Sequence, residues 1–201
     1  MKLTIIGASG HGRVIADIAR LNGYDEIEFL DDNKSLKKCG PYPVVGTTDS
    51  VYNVNTDLFI GIGNSAIRKR YMEQFSKNRF VTLIHPKAVV AEDVAIGRGS
   101  VIMAGSVVNP GTVLGDGVII NTCSSVDHDC IIEAYVHIAV GAHVCGSVKI
   151  GESTWIGAGA TITNCISICD NCTIGIGAAV IQNIFEQGTY VGVPVHKISR
   201  K

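Results

Sequence analysis

The chain has 201 residues, 46% of them hydrophobic and 6% aromatic, with a formal net charge of −1. That length can bury one or two cores, and a charge so near zero gives no support to a nucleic-acid or anionic-membrane partner. No apolar run approaches the ~18 residues of a membrane-spanning helix, the opening Leu3–Ile6 meets Gly7 too early for a secretion signal, and the seven Cys therefore argue against a disulfide framework. A cytoplasmic protein is expected.

In chain order, Leu3–Ile6 reads as a buried strand and Gly7-Ala8-Ser9-Gly10-His11-Gly12 as a turn. Arg13–Asn22 reads as a helix, with Val14, Ile15, Ile18 and Leu21 on one side and Gly23 as its C-cap. A second strand, Ile27–Leu30, ends at Asp31-Asp32; Pro41–Gly46 is a loop and short strand, and Asp57–Gly61 a further strand. Ile62-Gly63-Asn64 leads into a helix near Ser65–Ser76, Phe80–Ile84 closes the unit, and His85-Pro86 links it onward. Strands alternating with helices imply a small parallel, Rossmann-like α/β layer over residues 1–84.

Backbone N–H groups at a helix N-terminus bind phosphate, and an acid about 20 residues on can hold a ribose hydroxyl. The spacing Gly7-x-x-Gly10-x-Gly12 is not the dinucleotide fingerprint. It therefore points to a nucleotide diphosphate, with Asp31 or Asp32 on its ribose or base, rather than to a redox NAD site; a tight turn without ligand is the alternative. The charge runs Arg68-Lys69-Arg70 and Lys197–Lys201 read as solvated faces.

From Val90 every sixth residue through Val180 is β-branched or Leu, sixteen in all, and the residue four places on is mostly small or β-branched. A hexapeptide period marks a parallel β-helix. The aliphatic residue points inward, the small one fits a crowded corner, and the Gly that often follows the aliphatic, as in Ile96-Gly97 and Leu114-Gly115, reads as a turn residue. Gly192-Val193-Pro194 can close the exposed strand edge after the last coil.

Within the repeat, Val126-Asp127-His128-Asp129 brackets an imidazole with carboxylates, which fix its tautomer and raise its basicity as a general base requires. His137 and His143 are further candidates. They lie one hexapeptide apart and so on different faces, which argues against a zinc site of three converging His. In Cys169-Asp170-Asn171-Cys172, Cys172 takes the small inward position and Cys169 faces out, so small-residue packing is preferred over metal or redox chemistry and no metal is expected.

Gly7–Gly12, Phe29–Asp32, Ile60–Asn64, Asn121–Asp129 and Val191–Pro194 together resemble the sugar acyltransferases of the sialic acid O-acetyltransferase family. Within it the chain is most similar to the bacterial enzymes that N-acetylate UDP-4-amino-4,6-dideoxy sugars in bacillosamine synthesis. The resemblance implies an N-terminal nucleotide-sugar-binding domain (1–84) followed by a left-handed β-helix acetyltransferase domain with a C-terminal tail (85–201). It further implies a homotrimer with acetyl-CoA in the groove between neighbouring helices. Carried onto this sequence, His128 is the catalytic base and Asp129 its supporting acid, where many relatives have Glu; His137, Gly146, Ala158 and Ile176 meet acetyl-CoA. Ser9, Gly10, His11, Asp31, Asp32 and Asn64 meet the nucleotide sugar. Ala158 and Ile176 are eighteen residues apart, as are His128 and Gly146, so each pair stacks one coil apart. Transfer to a sugar hydroxyl, of sialic acid type, or to a GDP- or dTDP-linked amino sugar are the alternatives.

Overall fold

In the N-terminal part of the chain, strands β1 (Lys2–Ile6), β2 (Glu26–Leu30), β3 (Lys38–Cys39), β4 (Tyr42–Gly46) and β5 (Asp57–Ile60) form one sheet in the order β3-β4-β2-β1-β5. The computed structural model describes residues 1–53 and 55–198. β1 pairs in parallel with β2 and β5, so the glycine turn and Asp31-Asp32 emerge from the same end of the sheet. Helix α1 (Gly10–Leu21) begins three residues before the expected start, because Ser9 serves as N-cap and its hydroxyl accepts from the Gly12 amide. Gly12 belongs inside the helix for a packing reason: a Cβ there would strike the Gly7 carbonyl and lie 3.0 Å from Phe29. Helix α2 (Ser65–Gln74) is capped in the same manner by Asn64, whose side-chain oxygen accepts from Ile67.

The end of this unit differs from the sequence reading. Phe80 bridges to Leu58 of β5, but Leu83–Ile84 pairs with Val101–Ile102 of the repeat. Ile84 is six residues before Val90 and starts the register one hexapeptide early.

The repeat winds with an eighteen-residue coil, seen in pairings such as Val90 with Val108 and Ile120 with Ile138. Its first face runs through Leu83–Ile84, Val101–Ile102, Ile119–Ile120, His137–Ile138, Trp155–Ile156 and Thr173–Ile174. The second carries Ser125–Val126, His143–Val144 and Thr161–Ile162, and the third Val113–Leu114, Ile131–Ile132 and Lys149–Ile150. From Ile102 to Val180 every aliphatic sixth residue is at most 2% exposed, each contributing about 1.5–3 kcal/mol of apolar burial. Thr189–Val191 adds a parallel strand to the first face, and the Gly192–Pro194 turn brings back His196–Ile198 antiparallel to it. Of the Lys197–Lys201 run, residues 199–201 lie outside the described residues.

Corner positions carry buried hydroxyls, each with an assigned acceptor. Ser100, Ser106, Thr112 and Thr154 donate to the carbonyls of Gly115, Asn121, Asp127 and Cys169, always fifteen residues on. Three residues after each aliphatic from Ile96 to Ile174 the backbone is left-handed: seven Gly at φ between 62° and 74° alternate irregularly with seven other residues at 55° to 61°, Asp129 among them. Gly97 and Gly115 do not hold these positions. A Cβ on either would run into the backbone of the next coil, 2.6 Å from the Ala134 amide nitrogen for Gly115, so close approach, not turn geometry, requires them. A second correction concerns Cys169: it does not face away from Cys172, and the two sulfurs lie 3.5 Å apart, both cysteines free. Inward-leaning packing at the end of the coil brings Cys169 against the core.

Candidate functional site

The α/β layer sits on the first face. Val101, Met103 and Ile119, which point outward from the coil, share one core with β1, β2 and α1. This docking brings His11 of the glycine turn against His137 of the first face, ring centroids 6.3 Å apart. His11 Nε2 and His137 Nδ1 are both buried without a hydrogen-bond partner among the described residues. Burial, and secondarily the nearby Arg68 cation, lowers the His11 pKa to about 4 and that of His137 to about 3, so both rings are neutral at pH 7. Asn121 Nδ2 lies 3.1 Å from His137 Nε2. Below them Gly63, Asn64, Ser65, His137, Trp155 and Thr173 line part of a cavity of about 410 Å³.

Asp31 reaches this end of the sheet but is already engaged: its carboxylate accepts from Ala8 at 2.7 Å and from Asn33 at 2.9 Å, pinning the glycine turn to β2. Asp32 accepts from the Thr48 amide and hydroxyl and from Tyr71, and the Thr48 bonds hold its pKa below the usual carboxylate range. Ser9 and Gly10 are exposed beside His11.

The second cluster lies on the corner between the second and third faces. His128 is exposed, its side chain 58% accessible, and Nδ1 lies 2.8 Å from Asp129 Oδ2. The left-handed backbone at Asp129 (φ 58°) lets the shorter acid fold back onto its own neighbour's ring. Asp127 does not touch the ring. It accepts from the His128 amide at 2.8 Å and from Asn109 at 2.7 Å, so it fixes the backbone beneath the imidazole. The His128 pKa is raised from 6.5, first by the Asp129 hydrogen bond and then by the Asp127 charge. Gly146, one coil on, lies under the ring: a Cβ there would be 2.6 Å from both Cε1 and Nε2. The Gly146 amide has no partner within the described residues. His143, by contrast, pairs with the Ser125 hydroxyl on the second face.

The third set, Ala158 and Ile176, stacks on the corner between the first and second faces, with the Gly177 amide donating to the Ala158 carbonyl. Ile176 is 76% exposed and Val140, one coil before Ala158, 50%, so an apolar strip runs along this edge. Thus one chain gathers Ser9, Gly10, His11, Asp31 and Asn64 in one place together with His137, which the resemblance had set on acetyl-CoA; His128, Asp129 and Gly146 lie in a second, and Ala158 and Ile176 in a third. No group of three metal-ligating side chains occurs among the described residues, and no helix there is long and apolar enough to cross a membrane.

Sequence reasoning missed Arg68. It is 1% exposed and lies between layer and coil, not on a solvated face; its neighbour Lys69 pairs with Glu152 across the same junction. The signal was available in part, since Arg68 sits four residues after the Asn64 cap, on the helix side that returns to the coil.

The model of the PglD N-terminal domain matches residues 2–75. The UDP-N-acetylbacillosamine N-acetyltransferase of Bacillus subtilis is 33% identical over 110 residues, 51% of this chain and 51% of that one, so the match spans about half of that relative. The acetyltransferase domain of PglB from Neisseria gonorrhoeae, solved with acetyl coenzyme A, is 40% identical with a TM-score of 0.95, covering 98% of both chains. PerB from Caulobacter crescentus, solved with CoA and GDP-perosamine, is 29% identical with a TM-score of 0.95, covering 99% of this chain and 98% of that one.

Proposed function

The chain belongs to the hexapeptide-repeat sugar acyltransferases, and from that premise we propose that it moves the acetyl group of acetyl-CoA onto the 4-amino group of a UDP-linked 4-amino-4,6-dideoxy sugar. The observation that carries this reading is the exposed His128, oriented through Nδ1 by Asp129 and seated on a glycine whose amide has no partner among the described residues.

A carboxylate on Nδ1 leaves Nε2 as the basic nitrogen. Nε2 takes the proton of the sugar amine as its nitrogen attacks the thioester carbon. The C–N bond forms, the C–S bond breaks, and the proton passes to the departing thiolate. The Gly146 amide faces the carbonyl oxygen as negative charge develops there, an effect of about 3 kcal/mol for one such donor. The apolar strip of Val140, Ala158 and Ile176 suits the extended pantetheine arm. The nucleotide end fits the end of the sheet at Ser9, Gly10 and His11, with Asp31 and Asp32 shaping that site through the bonds they make.

Within one chain the base and the nucleotide site occupy different sides of the prism. This supports an active site completed by a neighbouring subunit, as in a homotrimer with His128 of one chain meeting the nucleotide site of the next. The 33% identity to the UDP-N-acetylbacillosamine N-acetyltransferase supports UDP; a GDP-linked amino sugar is the second reading, supported by the likeness to PerB.

A thiol-release assay across UDP-, GDP- and dTDP-amino sugars and free sialic acid tests acceptor and chemistry together. His128→Ala is expected to lose about 10²–10⁴ in rate. Near-normal turnover of that variant with saturable acetyl-CoA removes the assignment.

A further inference from the structure

The Arg68 guanidinium is buried, and among the described residues it meets only carbonyls. Nε donates to Gly117 at 2.7 Å, Nη1 to Ile62 and Gly63 at 3.1 Å each, and Nη2 to Tyr135 at 2.6 Å. Ile62 and Gly63 form the loop between β5 and α2. Gly117 and Tyr135 are equivalent corners of successive coils, eighteen residues apart. A cation buried without an anion is costly, and only the planar fork of arginine donates in so many fixed directions at once. The loop it grips is the one beside His137, since a Cβ on Gly63 would lie 3.9 Å from His137 Cε1.

We propose that Arg68 is a positioning residue of the acceptor half-site: it clamps the Ile62–Gly63 loop to the coil corners at Gly117 and Tyr135, and so sets how His11 and His137 face each other. The proposal rests on the transfer reaction above and adds a residue to it. The pair needs such a frame because each ring keeps an unpartnered buried nitrogen. The Asn121 side-chain oxygen accepts from the Thr122 amide at 2.8 Å, which turns its NH₂ toward His137 Nε2 as a donor. The hydrogen of the neutral His137 ring therefore sits on Nδ1. That N–H is buried with no acceptor in standard hydrogen-bond geometry among the described residues, and the backbone group that bears on it is Gly63, whose carbonyl Arg68 holds. Arg68 also acts through space. After burial, its charge is the next cause keeping both imidazoles neutral, and His11 itself is the third for His137.

The test compares wild type, Arg68→Lys and Arg68→Met in the full chain, by steady-state kinetics and by tautomer-resolving spectra of ¹⁵N-labelled histidine without substrate. Loss of the clamp is expected to raise the nucleotide-sugar KM about tenfold or more, the scale of a sub-ångström misplacement, with the acetyl-CoA KM nearly unchanged. The single Nδ1–H tautomer of His137 gives way to an averaged signal, and Arg68→Lys falls between. An unchanged sugar KM in either folded variant, a parallel rise in both KM values, or a retained single tautomer overturns the proposal. If Arg68→Met does not fold, Arg68→Lys decides by the same criteria. The spectra need no turnover, so a wild type inactive on every sugar removes the proposed reaction while the tautomer still decides the role of Arg68.

Discussion

Adding one methyl group at each of two glycines separates catalysis from folding. At Gly146 the new Cβ would lie 2.6 Å from Cε1 and Nε2 of His128, about 1 Å inside ordinary contact. The atoms it meets are the far end of an exposed side chain, so the ring tilts away and the coil stays as it is. Gly146 has no left-handed backbone to strain, and the alanine restricts the unfolded chain, a gain of about 0.4–1 kcal/mol. Gly146→Ala should therefore melt at or slightly above the wild-type temperature, while a base displaced by about 1 Å loses about 10² in kcat/KM. At Gly115 the same methyl meets backbone, 2.6 Å from the Ala134 nitrogen, which cannot move without opening the coil. Gly115→Ala should lose about 1–3 kcal/mol of stability and keep near-normal turnover per folded molecule. Thermal melting alongside the thiol-release assay reads both. A Gly146→Ala enzyme with half or more of its activity would refute the reading of His128 as a base seated on that glycine.

Three further outcomes follow from the described contacts. As the proposed base His128 acts in its neutral form, and Asp129 raises its pKa, so activity should rise with pH through a value above 6.5; Asp129→Asn should shift that acidic limb of the kcat/KM profile to lower pH and lower its plateau. His11 and His137 have folded pKa values of about 4 and about 3, below the unfolded 6.5, so their neutral burial favours folding fully above pH 6.5. That contribution is lost as pH falls toward 4, at about 1.4 kcal/mol per unit and per ring. Melting curves between pH 7.5 and 5 should be flatter for the His11→Asn, His137→Asn double variant, and identical slopes would contradict the burial of the pair. Thr112 is fully buried, donates to Asp127 and accepts from Cys130; Thr112→Val should lose about 1–3 kcal/mol in chemical denaturation, and no loss would contradict the corner bond.

The coil was legible in the sequence because one side-chain class recurs at a fixed period, and burial follows period whatever the surroundings. The same rule would have placed Ile84 in the coil, but the His85-Pro86 pair looked like a boundary and Phe80 does belong to the sheet. The His128–Asp129 bond was legible because the two are adjacent, and the left-handed backbone at Asp129 turns them together. His11 facing His137 was not: they are 126 residues apart, and only the docking of the layer on the first face joins them. Arg68 failed for the opposite reason. Its composition context was that of a solvated run, and nothing local announces four backbone carbonyls as its partners. Gly97 and Gly115 show that a correct position can carry a wrong cause, since proximity to the next coil leaves no trace in a single hexapeptide.

The interchangeable aliphatics have a consequence for insertions and deletions. Removing six residues would leave Ile, Val and Leu still filling the interior, and the hydroxyl of each corner would still find a carbonyl on the neighbouring coil. Every residue beyond the cut, however, would rotate onto the next side of the prism. Such a variant could fold well and be chemically blind, its imidazole presented to the wrong neighbour. Only losses or gains of eighteen keep the sides in phase, so whole coils are the unit in which this scaffold can change length and still work.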